Sequence, residues 1–221
     1  MYSLSSIGKR CGTDKFPLLT DVYASYFESR RMEPIRILEV GVFFGASLKM
    51  WHEYFPNGTV YGIDTFEGNQ GNGHHFDNAD SFLREAPKYS RMVVKKCDQS
   101  NREDLLAFAS TITEPFDFII DDGSHLMKDQ QQTIGILWSL IKPGGIYFIE
   151  DYGSSYDLKY KDVKPDFSNT TATMMDRFIK SGFIKSEYIT DDEASLMSEE
   201  IEKINMDDVN ISSFHKRSKT S

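Results

Sequence analysis

Residues 116–125 read Phe116-Asp117-Phe118-Ile119-Ile120-Asp121-Asp122-Gly123-Ser124-His125. An apolar strand runs into two aspartates and, three residues past the second, a histidine. Carboxylates and an imidazole at the exit of a buried strand are costly as structure and useful as chemistry. Glu150-Asp151 closes the next apolar run, Ile146 to Ile149, in the same way. Two neighbouring strand ends with four carboxylates and one histidine predict a cation site with a base beside it. Oxygen donors suit Mg²⁺, Mn²⁺ or Ca²⁺, and the lack of a Cys/His cluster disfavours zinc.

These residues need strands to carry them. After helical preliminaries over residues 1–33, Ile35 to Val40 is a short, nearly all-apolar strand, as in a sheet covered on both faces. Thr59 to Asp64, Arg91 to Asp98, the run to Asp122, and Ile146 to Glu150 are further strands. Between them Ser47 to Phe55, Glu103 to Ser110 and Lys128 to Leu140 have helical spacing, with Trp51 and Trp138 facing the core. Lys142 to Gly145 reads as a tight turn. Strand and helix alternate five times, which predicts an α/β domain with a Rossmann-like, doubly wound, mainly parallel sheet. Ligands of such sheets bind at the carboxyl ends of the strands. Glu39, Asp64, Asp98, Asp122 and Glu150-Asp151 all fall there. Successive strand residues face opposite sides, so Asp121 and Asp122 cannot share one ligand if the strand stays regular.

The first turn reads Glu39-Val40-Gly41-Val42-Phe43-Phe44-Gly45. It lacks the three glycines of a dinucleotide fingerprint, and Phe43 and Phe44 sit where a pyrophosphate needs bare backbone, so a nicotinamide or flavin is disfavoured. The pattern acidic-x-Gly-x-x-x-Gly, with an acid closing the next strand, resembles class I S-adenosylmethionine-dependent methyltransferases. The resemblance implies that the glycines admit the amino-acid part of the cofactor, that Asp64 accepts the ribose hydroxyls, and that Asp98 accepts the adenine amino group. Thr13, Lys15, Ser47, Gln99 and Asp121 are expected on the cofactor side with Glu39, Gly41 and Gly45.

Within that class, Ile120 to His125 and Pro143 to Asp151 resemble the metal-dependent sugar O-methyltransferases of the mycinamicin and rhamnosyl type. Gly12-Thr13-Asp14-Lys15, Leu48-Lys49-Met50-Trp51, Asp98-Gln99-Ser100 and Ser154-Ser155-Tyr156 extend the match over about residues 8–156. The resemblance implies S-adenosylmethionine and Mg²⁺ (or Mn²⁺) as cofactors, Asp122, Glu150 and Asp151 as metal ligands, and His125 as base. His125 would remove a proton from an acceptor hydroxyl, and that oxygen would attack the sulfonium methyl in line. Tyr23, Tyr152 and Tyr156 are expected to face the acceptor. Where family members commonly carry a histidine two residues before a tyrosine, this chain has Asp21 before Tyr23.

The 221 residues suffice for one sizeable core, so a single domain over 1–221 is expected, with 67–90 as a lid and 215–221 as a disordered tail. Gly182 to Ile189 reads as a strand or loop, Asp191 to Glu202 as a solvated helix face, and the last two strands of the fold are poorly written. His74 and His75 read as exposed loop residues. The net charge of −9 argues against nucleic acid or an anionic membrane as partner. There is no apolar run of transmembrane length and no signal peptide, and Cys11 and Cys97 read as free thiols, so the cytoplasm is the expected compartment. The partner is a sugar or other small-molecule acceptor, with a homo-oligomer possible. A catechol or phosphorylated headgroup as acceptor, a non-catalytic cofactor-binding protein, and a nicotinamide oxidoreductase are the competing readings.

Overall fold

The computed structural model describes residues 1–68 and 76–218. Two helices, α1 (Leu4–Cys11) and α2 (Leu18–Phe27), precede the sheet. The strands are β1 (Arg36–Val40), β2 (Thr59–Asp64), β3 (Met92–Lys96), β4 (Phe116–Asp121), β5 (Ile141–Glu150), β6 (Ile201–Met206) and β7 (Ile211–Lys216). Between them lie α3 (Ala46–Tyr54), α4 (Ser81–Glu85), α5 (Arg102–Ser110), α6 (Met127–Leu137), α7 (Thr171–Ser181) and α8 (Asp191–Glu200).

The sheet order is β3-β2-β1-β4-β5-β7-β6. The first five strands pair in parallel, and β7 joins β5 and β6 antiparallel. The chain builds outward from β1 to β3, then returns to lay β4 on the other side of β1. The order therefore reverses between β1 and β4, where such sheets hold their ligands. Every residue of β4 is buried, which explains its near-continuous apolar sequence. Helices cover both faces. Trp51, Tyr54, Tyr23 and Phe27 pack with Phe118, Ile120 and Phe148 on one face. Trp138, Leu137, Leu105 and Met175 pack with Leu38, Ile119 and Ile149 on the other.

Caps and turns deliver the site segments. Gly12 ends α1 in the left-handed region (φ 73), its N–H donating to Gly8 O, and so turns Thr13 to Lys15 toward the sheet. At the start of β4, Asp117 is structural. Burial opposes its charge, but Lys142 (2.7 Å), the Arg36 N–H (2.8 Å) and Arg30 (2.5 Å) hold its carboxyl below the ordinary range. One strand thus carries a structural acid at its entry and candidate chemical acids at its exit.

Some expectations need correction. Lys142 to Gly145 is not a separate turn. It is an irregularity inside β5, with Gly144 at φ 76 and a register shift against β4 between Phe116 and Phe118. His215 and Lys216 belong to β7 rather than to a loose tail, because both pair with neighbouring strands. The described part of the expected lid folds as α4 and a short 3₁₀ turn, with Phe82 and Ala86 buried. His74, His75 and residues 219–221 lie outside the described residues. Residues 182–189 are loop. The acidic stretch is only partly solvated. Glu193 closes a capping box with Thr190 and pairs with Arg102, and Glu200 binds Lys216 and the Trp138 Nε1–H. No helix among the described residues is long and apolar enough to cross a membrane.

Candidate functional site

A cavity of about 470 Å³ opens at the carboxyl ends of β1, β2 and β4. Its walls include Thr13, Gly41, Ser47, Asp64, Asp98, Gln99, Asp122, His125 and Asp151, nine of the residues singled out from sequence.

The glycine turn is fitted to the acidic run. Gly41 has φ 89, and a Cβ there would lie 2.0 Å from the Asp122 carbonyl oxygen. Any side chain at 41 would push the end of β1 away from the end of β4. Gly45 (φ 76) leads into α3, and its open face is filled by the Phe82 ring, 2.4 Å from where a Cβ would sit. Asp64 stitches this turn to β2. One carboxylate oxygen accepts from the Val42 (2.7 Å) and Phe43 (2.9 Å) N–H groups, the other from Phe66 N–H (2.7 Å). Asp98 accepts from the Ser100 N–H (2.8 Å) and hydroxyl (2.7 Å).

Asp121 stands behind the cavity wall. It is 1% exposed, accepts from Gln99 Nε2 (2.7 Å), the Gly123 N–H (3.3 Å) and the Tyr147 hydroxyl (3.2 Å), and is pushed up to about 7 by burial. Gln99 Oε1 in turn accepts from the Ser124 N–H at 2.9 Å. Asp121 therefore holds the loop that bears Ser124 and His125.

Beneath the cavity lies a buried ionic cluster. Lys15 is 1% exposed, and its Nζ sits 2.5 Å from Asp122 Oδ2, 2.8 Å from Glu150 Oε1 and 3.2 Å from Glu39 Oε1. Burial disfavours the ammonium, but Asp122, Glu150 and Glu39 outweigh it and raise the Lys15 pKa well above the ordinary value. Three carboxylates share one cation, so negative charge is in excess. Burial, with Asp122 adding to it, pushes Glu150 up to about 8 against the pull of Lys15. Burial pushes Glu39 up to about 7, opposed by Lys15 and by the Ser47 hydroxyl at 2.7 Å. Glu39 and Lys15, expected against the cofactor, thus lie one layer below the wall.

Tyr23 belongs to that layer too. It is fully buried against Phe27, Trp51 and Phe148, and its hydroxyl donates to Glu150 Oε1 at 2.6 Å. Expected at the acceptor, it instead supports Glu150. Tyr152 is half-buried and donates to the Asp207 carbonyl (3.1 Å), whereas Tyr156 is 64% exposed on the surface turn that follows Asp151.

At the rim, His125 Nε2 lies 3.6 Å from Asp151 Oδ2 and 4.0 Å from Asp122 Oδ1. The three ligand atoms are within 4.8 Å of one another. Both His125 (φ 58) and Asp151 (φ 52) hold the left-handed backbone region. Non-glycine residues there carry strain of order 1–3 kcal/mol, which clusters at functional sites. His125 Nδ1 is buried without a hydrogen-bond partner among the described residues, so Nε2 is the nitrogen presented to the acids.

Asp129 and Tyr160 are polar wall residues that the sequence did not mark. Asp129, in the first turn of α6, is 2% exposed, accepts from the Ser124 hydroxyl at 2.6 Å and has its pKa raised, chiefly by burial. An acid in a first helical turn reads as a favourable helix charge, so nothing in the sequence marked it. Tyr160 comes from an irregular segment with no periodicity to place it.

Residues 38–152, over half of the chain, match the family described as methyltransferase domain. Among curated proteins, the chain is 32% identical over 163 residues to the mycinamicin VI 2''-O-methyltransferase of Micromonospora griseorubida. It is 28% identical over 194 residues to the 8-demethyl-8-alpha-L-rhamnosyl tetracenomycin-C 2'-O-methyltransferase of Streptomyces olivaceus. Those alignments cover 69% and 84% of this chain but only 37% and 47% of the relatives, so the chain spans less than half of their length. Among solved structures, the MycE methyltransferase of the mycinamycin biosynthetic pathway, in complex with Mg and SAH, superposes with TM-score 0.75 at 26% identity. That match covers 98% of this chain and 55% of the other. A putative caffeoyl-CoA O-methyltransferase from Staphylococcus aureus shares the fold alone, at TM-score 0.56 and 15% identity.

Proposed function

Since the chain belongs to the methyltransferase domain family, we propose that it moves the methyl group of S-adenosylmethionine to a hydroxyl of a sugar or glycoside, with a Mg²⁺-type cation at the rim. The observation that carries this reading is the Asp122–His125–Asp151 cluster at the edge of a cavity floored by the glycine turn. Support comes from the sugar O-methyltransferases among its relatives and from its likeness to MycE, which was solved with Mg, SAH and mycinamycin VI.

The donor set fits a divalent cation. The cluster around Lys15 has more carboxylates than cations, and Asp151 adds another at the rim. Asp122 belongs both to the rim group with His125 and Asp151 and to the buried group with Glu39 and Glu150, and it would hold the ion with Asp151 from the rim and Glu150 from beneath. Glu150 Oε1 is taken by Lys15 and Tyr23, and no hydrogen bond to its Oε2 is found among the described residues, leaving that oxygen to coordinate. Bound there, such a cation lowers the pKa of an acceptor hydroxyl.

The chain's own residues supply the rest. Gly41 and Asp64 shape the cavity floor that would carry the cofactor. His125 Nε2 takes the hydroxyl proton, and Asp151 and Asp122 beside it stabilise the imidazolium that results. The acceptor oxygen forms a bond to the methyl carbon as the carbon–sulfur bond breaks, leaving S-adenosylhomocysteine. Orientation, rather than covalent help from the protein, brings the two into line. We place the reaction in the cytoplasm, in keeping with the two free cysteines.

Calorimetry and an acceptor panel test this. S-adenosylhomocysteine is expected to bind and NAD is not. Glycosides are expected to drive S-adenosylhomocysteine release, with catechols and phosphorylated headgroups inert. Binding of NAD in place of S-adenosylhomocysteine would overturn the cofactor. Release with a catechol alone would overturn the acceptor class.

A further inference from the structure

The turn between β6 and β7 lies against the rim of the site. Glu150 pairs with Ile211 in the antiparallel ladder, which sets Asn210 beside Asp151. Asn210 Nδ2 donates to Asp151 Oδ1 at 2.7 Å, and its Oδ1 accepts from the Gly153 N–H at 2.5 Å. The amide is thereby fixed at both ends. Its donor must face the carboxylate and its acceptor must face the N–H, so it cannot be reversed without losing both bonds. The turn is itself braced. Asp207 N–H donates to Ile211 O (2.8 Å), Asn210 N–H to Asp207 O (3.2 Å), and the Tyr152 hydroxyl to Asp207 O (3.1 Å).

Asp151 needs such a clamp. Its side chain is 53% exposed, and its backbone is left-handed (φ 52). Unheld, a carboxylate in that setting samples several rotamers. With Oδ1 tied to Asn210, Oδ2 is the oxygen that meets His125. Asn210 also adopts the left-handed region (φ 69), which asparagine tolerates better than most side chains. Gly153 completes the fit, since a Cβ there would lie 2.5 Å from Asn210 Oδ1.

We infer that Asn210 is a positioning residue that aims Asp151 at the cation and at His125, making the β6–β7 turn part of the reaction site. This rests on the metal-dependent reading above. Partners of ligating carboxylates typically contribute 10–100-fold in metal affinity.

The test is titration of the whole chain with Mn²⁺, free ion being followed by electron paramagnetic resonance, on wild type, Asp122→Asn, Asn210→Gly and Gly153→Ala. Glycine keeps the φ freedom of position 210 and deletes only the amide. The expected result is a site in wild type that Asp122→Asn abolishes and Asn210→Gly weakens roughly 10-fold or more. The melting midpoint of Asn210→Gly should stay within a few degrees of wild type. Gly153→Ala, which displaces the amide without deleting it, should weaken Mn²⁺ in the same direction. If wild type binds Mn²⁺ and Asp122→Asn does not, but Asn210→Gly and Gly153→Ala match wild type, the positioning role is overturned and the metal reading stands. If wild type itself binds no Mn²⁺, the metal reading falls and the inference with it.

Discussion

Lys15→Met is expected to cost about 3–5 kcal/mol of stability near pH 8, and markedly less near pH 5. Lys15 is 1% exposed and is the cation at the centre of Glu39, Asp122 and Glu150. Lysine is almost never buried unless paired, and deleting one partner of a buried cluster leaves the others uncompensated. The pH dependence follows from the acids. Glu39 (about 7) and Glu150 (about 8) have folded pKa values above the ordinary 4.5. The folded chain therefore keeps protons that the unfolded chain releases, and stability falls as pH rises through that window. Without Lys15 those values rise further, so the deficit of the variant grows with pH. Thermal denaturation in EDTA at both pH values measures this, with a midpoint lowered by roughly 10 °C on the alkaline side. A second change, Glu39→Gln, should recover part of the loss by removing one orphaned charge. If Lys15 served the cofactor directly, the variant would instead keep its stability and lose affinity for S-adenosylhomocysteine.

His125→Ala is expected to lower kcat by about 10²–10⁴-fold, the usual contribution of a general base. Affinity for S-adenosylhomocysteine should stay within a few-fold, because His125 sits at the rim while Asp64 and the glycine turn form the floor. Folding should also survive, since His125 Nδ1 has no hydrogen bond to lose among the described residues. Steady-state turnover with a glycoside acceptor, paired with calorimetry, separates the two effects. Near wild-type turnover would remove His125 from the role of base. Asp122→Asn should be at least as damaging, for a different reason. It removes a proposed ligand at the rim and a partner of Lys15 underneath.

The parallel half of the sheet was legible because strands buried on both faces are written as near-continuous apolar runs, and β1 and β4 are of this kind. The antiparallel pair was not. In β6 only Ile201 and Ile204 are buried, and β7 buries Ser212 and Ser213, so neither shows a clean alternation. Cavity walls were legible where acids follow apolar strands, as at Asp64 and Asp122, whereas Asp98 lines the cavity after the half-buried β3, which ends in Lys95-Lys96. Depth was not. Lys15, Glu39, Asp121 and Tyr23 all belong to the site region, yet they lie beneath its surface. Residue type alone marks a lysine or tyrosine as exposed or functional, and only the fold shows that Lys15 and Tyr23 hold Glu150 from below. Asn210 was invisible because its contact with Asp151 depends on the β5–β7 register.

In the proposed reaction a cation and a base act together at the rim of the cavity. The most direct measurement is S-adenosylhomocysteine release from S-adenosylmethionine and a glycoside acceptor, before and after EDTA, then with Mg²⁺ or Mn²⁺ restored. Release should stop with EDTA, return with either ion, and fail to return in Asp122→Asn. Turnover that is indifferent to EDTA would contradict the proposed metal-dependent reaction.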